Sequence, residues 1–104
     1  MINASVAIQL LPQVADNESL ISIVDTVIEY IKSFNLKTVV SPFETTIEGD
    51  YDTLMEIIKG CQLIAYRAGA PAVISHVKIF YYPHGDILTM DEKISKYAED
   101  ANAN

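Results

Sequence analysis

The sequence predicts an α+β fold in which strands and helices follow the order β-α-β-β-α-β, with a short helix at the C-terminal end. Three observations carry that expectation. Four short stretches are rich in β-formers, and the first and last of them form two-faced strands. Two longer stretches repeat their apolar residues at helical spacing. Proline, glycine, asparagine and aspartate punctuate the boundaries between them.

Ala4 to Leu11 reads as the first strand, with Val6, Ile8 and Leu10 on one face and Ser5, Ala7, Gln9 and Leu11 on the other. Pro12 ends it, because proline cannot donate to a ladder. Asp16-Asn17-Glu18-Ser19 supplies N-caps and early acidic residues for a helix. The helix stripe is Leu20, Ile23, Val24, Val27, Ile28, Ile31 and Phe34, and Asn35 is its stop. Many of these residues are β-branched, but packing of an apolar stripe outweighs intrinsic propensity. Leu36 to Val40 reads as a second strand, closed by Ser41-Pro42, and Glu44 to Glu48 as a third.

Gly49 breaks the third strand, and Asp50 caps the second helix. Leu54, Ile57, Ile58, Cys61, Ile64, Ala65 and Ala68 form its apolar face. Gly69 sits where a left-handed residue ends a helix, and Pro71 follows. In the fourth strand, Val73 to Tyr81, one face holds Val73, Ser75, Val77 and Ile79, and the other Ile74, His76, Lys78 and Phe80. Residues 82–86 form a loop, and Thr89-Met90-Asp91-Glu92 is a capping box that opens a short C-terminal helix. Right-handed crossovers convert this order into a four-stranded antiparallel sheet with both helices on one face, a ferredoxin-like sandwich. Residues 1–97 form a single domain, and 98–104 a small polar tail that frays.

A chain of 104 residues, half of them apolar, has room for one modest core and no separate cofactor module. Fourteen acidic against seven basic side chains give a net charge of −7. That sign disfavours nucleic acid and anionic membranes and is compatible with a cationic ligand. The single cysteine, Cys61, excludes an internal disulfide and any cysteine-based metal cluster. It fits a reducing compartment, and with no signal peptide or membrane-length apolar run the expected location is the cytoplasm.

No phosphate-binding loop or nucleophile elbow is present. His76 and His84 lack helical ligand spacing and read as structural or surface residues, so no metal or other cofactor is expected. The chemistry concentrates instead in Ser41-Pro42-Phe43-Glu44-Thr45-Thr46-Ile47-Glu48-Gly49-Asp50, which packs hydroxyls and carboxylates around a strand. It reads either as a polar edge strand and helix cap, or as a pocket in which hydroxyls donate and accept while a carboxylate meets a cation. Phe43 or Phe80 stacks on a ring in the second case and packs against core or subunit in the first. Lys78 pairs with Glu48 or Glu44 across the sheet, or meets the ligand. The uncovered sheet face mixes apolar residues with Gln9, Thr45 or Thr46, Glu48, His76 and Lys78, which suits a subunit contact, a ligand site, or both.

Three blocks together resemble the thiamine-binding, YkoF-like family of small bacterial and archaeal proteins: Val6 to Pro12, Ser41 to Asp50, and Ala68-Gly69-Ala70 running on to Lys78-Ile79. They span nearly the whole chain in the family's order. The resemblance implies a ferredoxin-like fold, assembly into dimers or tetramers through the sheets, and non-catalytic binding of thiamine or its hydroxymethylpyrimidine moiety. Carried over, Thr45, Thr46 and Glu48 match the family's hydroxyl-and-acid block, Gln9 its polar position on the first strand, and Lys78-Ile79 its Lys-Ile. Phe80-Tyr81-Tyr82-Pro83 departs from the more charged stretch of the family.

The leading expectation is therefore a homo-oligomeric binding protein for a thiamine-like molecule, held near the open sheet face or a subunit interface. Gln9, Phe43, Thr45, Thr46, Glu48 and Lys78 are the ligand residues, with Glu48 the carboxylate that offsets the thiazolium charge or bonds the aminopyrimidine. Its rival is an oligomeric scaffold or regulatory module without such a ligand. A third reading makes Glu48 and His76 a general acid–base pair of an enzyme.

Overall fold

In a computed structural model, which describes residues 2–95, the six elements form in the expected order. They are β1 (Ala4–Pro12), α1 (Asn17–Lys32), β2 (Thr38–Val40), β3 (Thr45–Gly49), α2 (Tyr51–Arg67) and β4 (Val73–Tyr81). A third helical stretch begins at residue 90. The tail expected to fray at 98–104 lies outside the described residues. The strands make one sheet in the order β2-β3-β1-β4, every neighbouring pair antiparallel, which is the ferredoxin-like arrangement.

The even-numbered side chains of β1 form the floor of the core. Ala4, Val6 and Ile8 are buried with Ile47 of β3 against Ile23, Val27 and Ile31 of α1 and Leu54, Ile57, Cys61 and Ala65 of α2. Both helices therefore cover the same sheet face, as the two apolar stripes require. Where α1 meets α2, the Tyr30 ring fills the space that a Cβ at Gly60 would occupy. Tyr30 also meets Phe34 edge to face, with ring centroids 5.2 Å apart.

The helix ends follow their local chemistry. The Asp16 carboxylate accepts from the Ser19 amide at 2.7 Å and from its hydroxyl at 3.0 Å. Both bonds hold the Asp16 carboxyl below its usual range. Asp50 caps α2 through the Thr53 amide. At the far end of α2, the amides of Gly69 and Ala70 return to the carbonyls of Tyr66 and Ala65, with Gly69 at φ 119°. That closure satisfies two carbonyls the helix leaves free and needs a residue with no Cβ. Asn35 takes φ 56° after α1, a conformation asparagine tolerates.

β2 is shorter than the sequence predicts, starting at Thr38 rather than Leu36; the Glu48 amide still donates to the Lys37 carbonyl at 3.2 Å, and Leu36 packs against the core. β2 and β3 join in a tight hairpin. The Ser41 amide donates to the Glu44 carbonyl at 3.0 Å, leaving Pro42 and Phe43 at the tip.

Two outcomes follow from this core. Ile57 is fully buried, so Ile57→Ala lowers unfolding free energy by about 2–5 kcal/mol in urea titrations. Cys61 is buried among apolar groups, which push its thiol up to about 12. Ellman's reagent at pH 8 therefore leaves Cys61 unmodified in the native protein and titrates it only once the chain is unfolded.

Candidate functional site

The sheet assigns each predicted residue to a face. Along β3, Thr45, Ile47 and Gly49 pair with Ile8, Val6 and Ala4, so Thr45 turns towards the helices with the core residues. Thr46 pairs with Ala7 and Glu48 with Ser5, which places both on the open face. Lys78 lies across Ala7, Phe80 across Ser5, and His76 across Gln9 on that same face. Thr45 and Thr46 are adjacent in a strand and so point in opposite directions. The six predicted residues are thus divided between the two sides of the sheet.

Glu48 is the carboxylate that the sequence puts at the ligand, and the structure gives it another partner. It is only 5% exposed, and it accepts the Met90 amide at 2.8 Å. Met90 follows the Thr89 cap, so this bond satisfies a free N–H at the start of the C-terminal helical stretch. The segment reaches Glu48 along the N-terminus. The Tyr82 amide donates to the Asn3 carbonyl, the Ile87 amide to the Ile2 carbonyl, and the Ile2 amide to the Asp86 carboxylate. Ile87 and Met90 are buried there. Lys37 reaches Asp91 at 3.4 Å, and the Lys93 ammonium stands 5.9 Å above the Phe80 ring. One end of the nominally open face is therefore covered. The capping box signals this helix in the sequence but carries no information about where it docks.

At the other end of the sheet, strand lengths leave a gap. β1 continues to Pro12 beside β4, but its pairing with β3 stops at Ile8 and Thr45. The hairpin turns back at Pro42-Phe43. Between α1, the end of β1 and the hairpin lies a cleft of about 250 Å³, lined by Leu10, Val24, Ile28, Ser41, Phe43, Glu44 and Thr45 among others. Its walls are largely apolar, and Ser41, Glu44 and Thr45 bring polar groups to it. A second, larger recess of about 670 Å³ lies on the opposite sheet face, lined by Gln9, Phe43, Glu44, His76 and Lys78 among others.

Gln9, Phe43 and Glu44 border both recesses. Phe43 is 79% exposed, an unusual position for a large aromatic side chain. Glu44 pairs with Lys78 at 3.3 Å, which resolves the choice between the two glutamates for the lysine's partner. Of the predicted residues, then, Gln9, Phe43, Thr45 and Lys78 gather around the hairpin tip, while Thr46 and Glu48 lie away from both recesses. Glu44 is the carboxylate at the tip; its position within the polar block was visible in the sequence, but its proximity to the end of β1 was not. Among the described residues no group of three or more His, Cys, Asp or Glu side chains is arranged to hold a metal ion. No helix among them is long and apolar enough to cross a membrane.

The chain is similar to several known proteins. A family model described as "Thiamine-binding protein" matches residues 6–98. A UPF0045 protein of Clostridium perfringens is 50% identical over 97 residues, covering 93% of this chain and 99% of that one. A solved structure from Bacillus cereus, described as a domain of unknown function, is 33% identical with a TM-score of 0.84, over 95% of this chain and 93% of the other. A Thermotoga maritima structure, provisionally described as a thiamine biosynthesis/salvage protein, is 32% identical with a TM-score of 0.79, covering 91% of this chain and 98% of its own.

The bond between Glu48 and Met90 has a direct test. Glu48→Ala leaves a buried amide without its acceptor and costs about 1.5–3 kcal/mol of local stability. Limited proteolysis of that variant cuts first within residues 82–95, whereas Glu48→Gln, which keeps an acceptor oxygen, resists longer.

Proposed function

The chain belongs to the thiamine-binding protein family, and from that premise we propose that it binds thiamine or its hydroxymethylpyrimidine moiety without transforming it. The supporting observation is the cleft of about 250 Å³ between α1, β1 and the hairpin tip. That volume lies just below the usual range of small-molecule pockets, so it suits a single small ring better than a nucleotide. Its apolar walls shed water from a flat ring, the Thr45 hydroxyl donates or accepts, and Phe43 offers an aromatic face. Glu44 supplies the negative charge for a thiazolium ring. In this reading Lys78 tunes the site by neutralising Glu44, and a cationic ligand takes the lysine's place. Glu48 acts at one remove, holding the C-terminal segment on the sheet.

Binding without chemistry is the reading we favour over an acid–base enzyme. Glu48 lies across from Ser5 and His76 across from Gln9, four residues apart along β1 and so roughly 13 Å along the strand. Glu48 is also already engaged by Met90. A proton relay needs groups within hydrogen-bond reach of one reacting atom.

A specific observation favours self-assembly as well. β4 is an edge strand, and Ile74, Ile79, Phe80 and Tyr81 along it are about half exposed. A long apolar edge invites another strand or sheet. We propose a homo-oligomer, dimer or tetramer, in the cytoplasm, whose reducing environment suits the free thiol of Cys61.

Calorimetry tests the ligand. Thiamine and hydroxymethylpyrimidine are expected to bind with micromolar Kd, about −8 kcal/mol. Thr45→Val and Glu44→Gln weaken thiamine, and Lys78→Met strengthens it up to about fivefold, the limit set by an exposed ion pair. No heat and no thermal shift with either compound, from folded protein, sinks the reading. Light scattering coupled to size exclusion tests assembly: Ile79→Lys shifts an oligomer towards monomer, and a wild-type monomer at tens of micromolar overturns that part.

A further inference from the structure

The mouth of the cleft carries a feature that side-chain patterns do not reveal. In an antiparallel strand, successive residues turn their N–H and C=O groups alternately to one neighbour and the other. The Asn3 carbonyl accepts from Tyr82, and the Gln13 amide donates to Ala72, so odd-numbered residues in and around β1 face β4. Even-numbered residues therefore face β3. Ala4, Val6 and Ile8 meet Gly49, Ile47 and Thr45 there, but the next even residue, Leu10, lies beyond the end of that ladder. The position opposite it falls at Phe43, on the hairpin tip, and the Leu10 N–H and C=O have no hydrogen-bond partner among the described residues. Leu10 lines the cleft. An unpaired main-chain donor and acceptor thus stand side by side at the edge of an apolar recess.

We propose that the Leu10 main chain is the ring-reading element of this cleft, recognising a planar heterocycle whose edge carries an acceptor nitrogen next to an amino group. This inference rests on the reading of the cleft as a thiamine-type site and names the part of the ligand that enters it. The N–H and C=O of an extended residue point the same way and pair with an acceptor and donor set side by side, as a neighbouring strand supplies them. An aminopyrimidine has that edge, with its ring nitrogen as acceptor and the adjacent amine as donor. A thiazolium ring has no such edge. The aminopyrimidine end therefore seats at Leu10, continuing the β3 ladder by one step, and the cationic end is left for Glu44 at the rim. Recognition through the main chain explains how the recess reads a polar ring while most of its side chains are apolar.

Amide NMR with unmutated protein tests this, using thiamine, hydroxymethylpyrimidine and the pyrimidine's 4-deamino analogue as probes. In free protein the Leu10 amide exchanges with solvent far faster than that of Ile8. Saturating thiamine or hydroxymethylpyrimidine shifts the Leu10 resonance and slows its exchange at least about tenfold. The deamino analogue, which leaves the Leu10 carbonyl unpaired, binds roughly ten- to hundredfold more weakly. If thiamine binds in a manner sensitive to Thr45→Val, yet the Leu10 amide is unmoved and the deamino analogue binds equally well, this inference falls and the cleft stands. If neither thiamine nor hydroxymethylpyrimidine binds, the underlying reading falls and takes the inference with it.

Discussion

β1 is the element on which the rest of the structure hangs, because it is paired on both sides and buried on one face. Its pairing with β3 runs from Ala4 to Ile8, and its pairing with β4 from Ala4 to Pro12. A shift of one residue in either ladder would turn Ala4, Val6 and Ile8 away from both helices and bring Ser5, Ala7 and Gln9 into the core. The apolar residues of α1 and α2 close over that one phase and no other. From this constraint follow the face of every residue on β3 and β4, and with it the separation of Thr45 from Thr46.

The same strand explains the cleft. A sheet whose strands were matched in length would bury the end of α1 against a third neighbour and satisfy every main-chain group beside it. Here the hairpin turns at Pro42-Phe43, well short of the end of β1. The apolar stripe of α1 therefore runs past the sheet edge, and Leu20, Val24 and Ile28 face a recess instead of a strand. Local turn chemistry at Ser41 to Glu44 sets where that recess begins. A small domain has few ways to keep a cavity without losing its core, and placing it at the end of a short hairpin leaves the central packing intact.

The open face is shared between two demands. At one end the C-terminal segment shields Glu48 and ties back to the N-terminus through Ile2 and Asn3. At the other, Gln9, His76, Glu44 and Lys78 stay accessible around the hairpin tip. The chain carries an acidic excess, −7 overall, and at this end Lys78 neutralises Glu44. Glu48 thus holds the C-terminal segment, while Glu44, four residues earlier, borders both recesses at the hairpin tip.

Element order, helix caps and the apolar stripes were legible in the sequence because each depends on neighbours within a turn or two: Asp16 and Asp50 as caps, Gly69 as a helix end, Thr89 and Glu92 as a capping box. The family was legible as well, since three blocks in order survive without any knowledge of contacts. The phase of the Thr45-Thr46 pair was not, because a short strand with polar residues on both sides is assigned a face only by its partner. Nor was the partner of Lys78, which depends on which glutamate lies across the sheet. The docking of the C-terminal stretch on Glu48, 42 residues away in sequence, is equally beyond local reading. What the sequence by itself determined is local conformation and binary pattern; what only the tertiary structure decided is which main-chain and side-chain groups were left without partners once the strands, unequal in length, had paired.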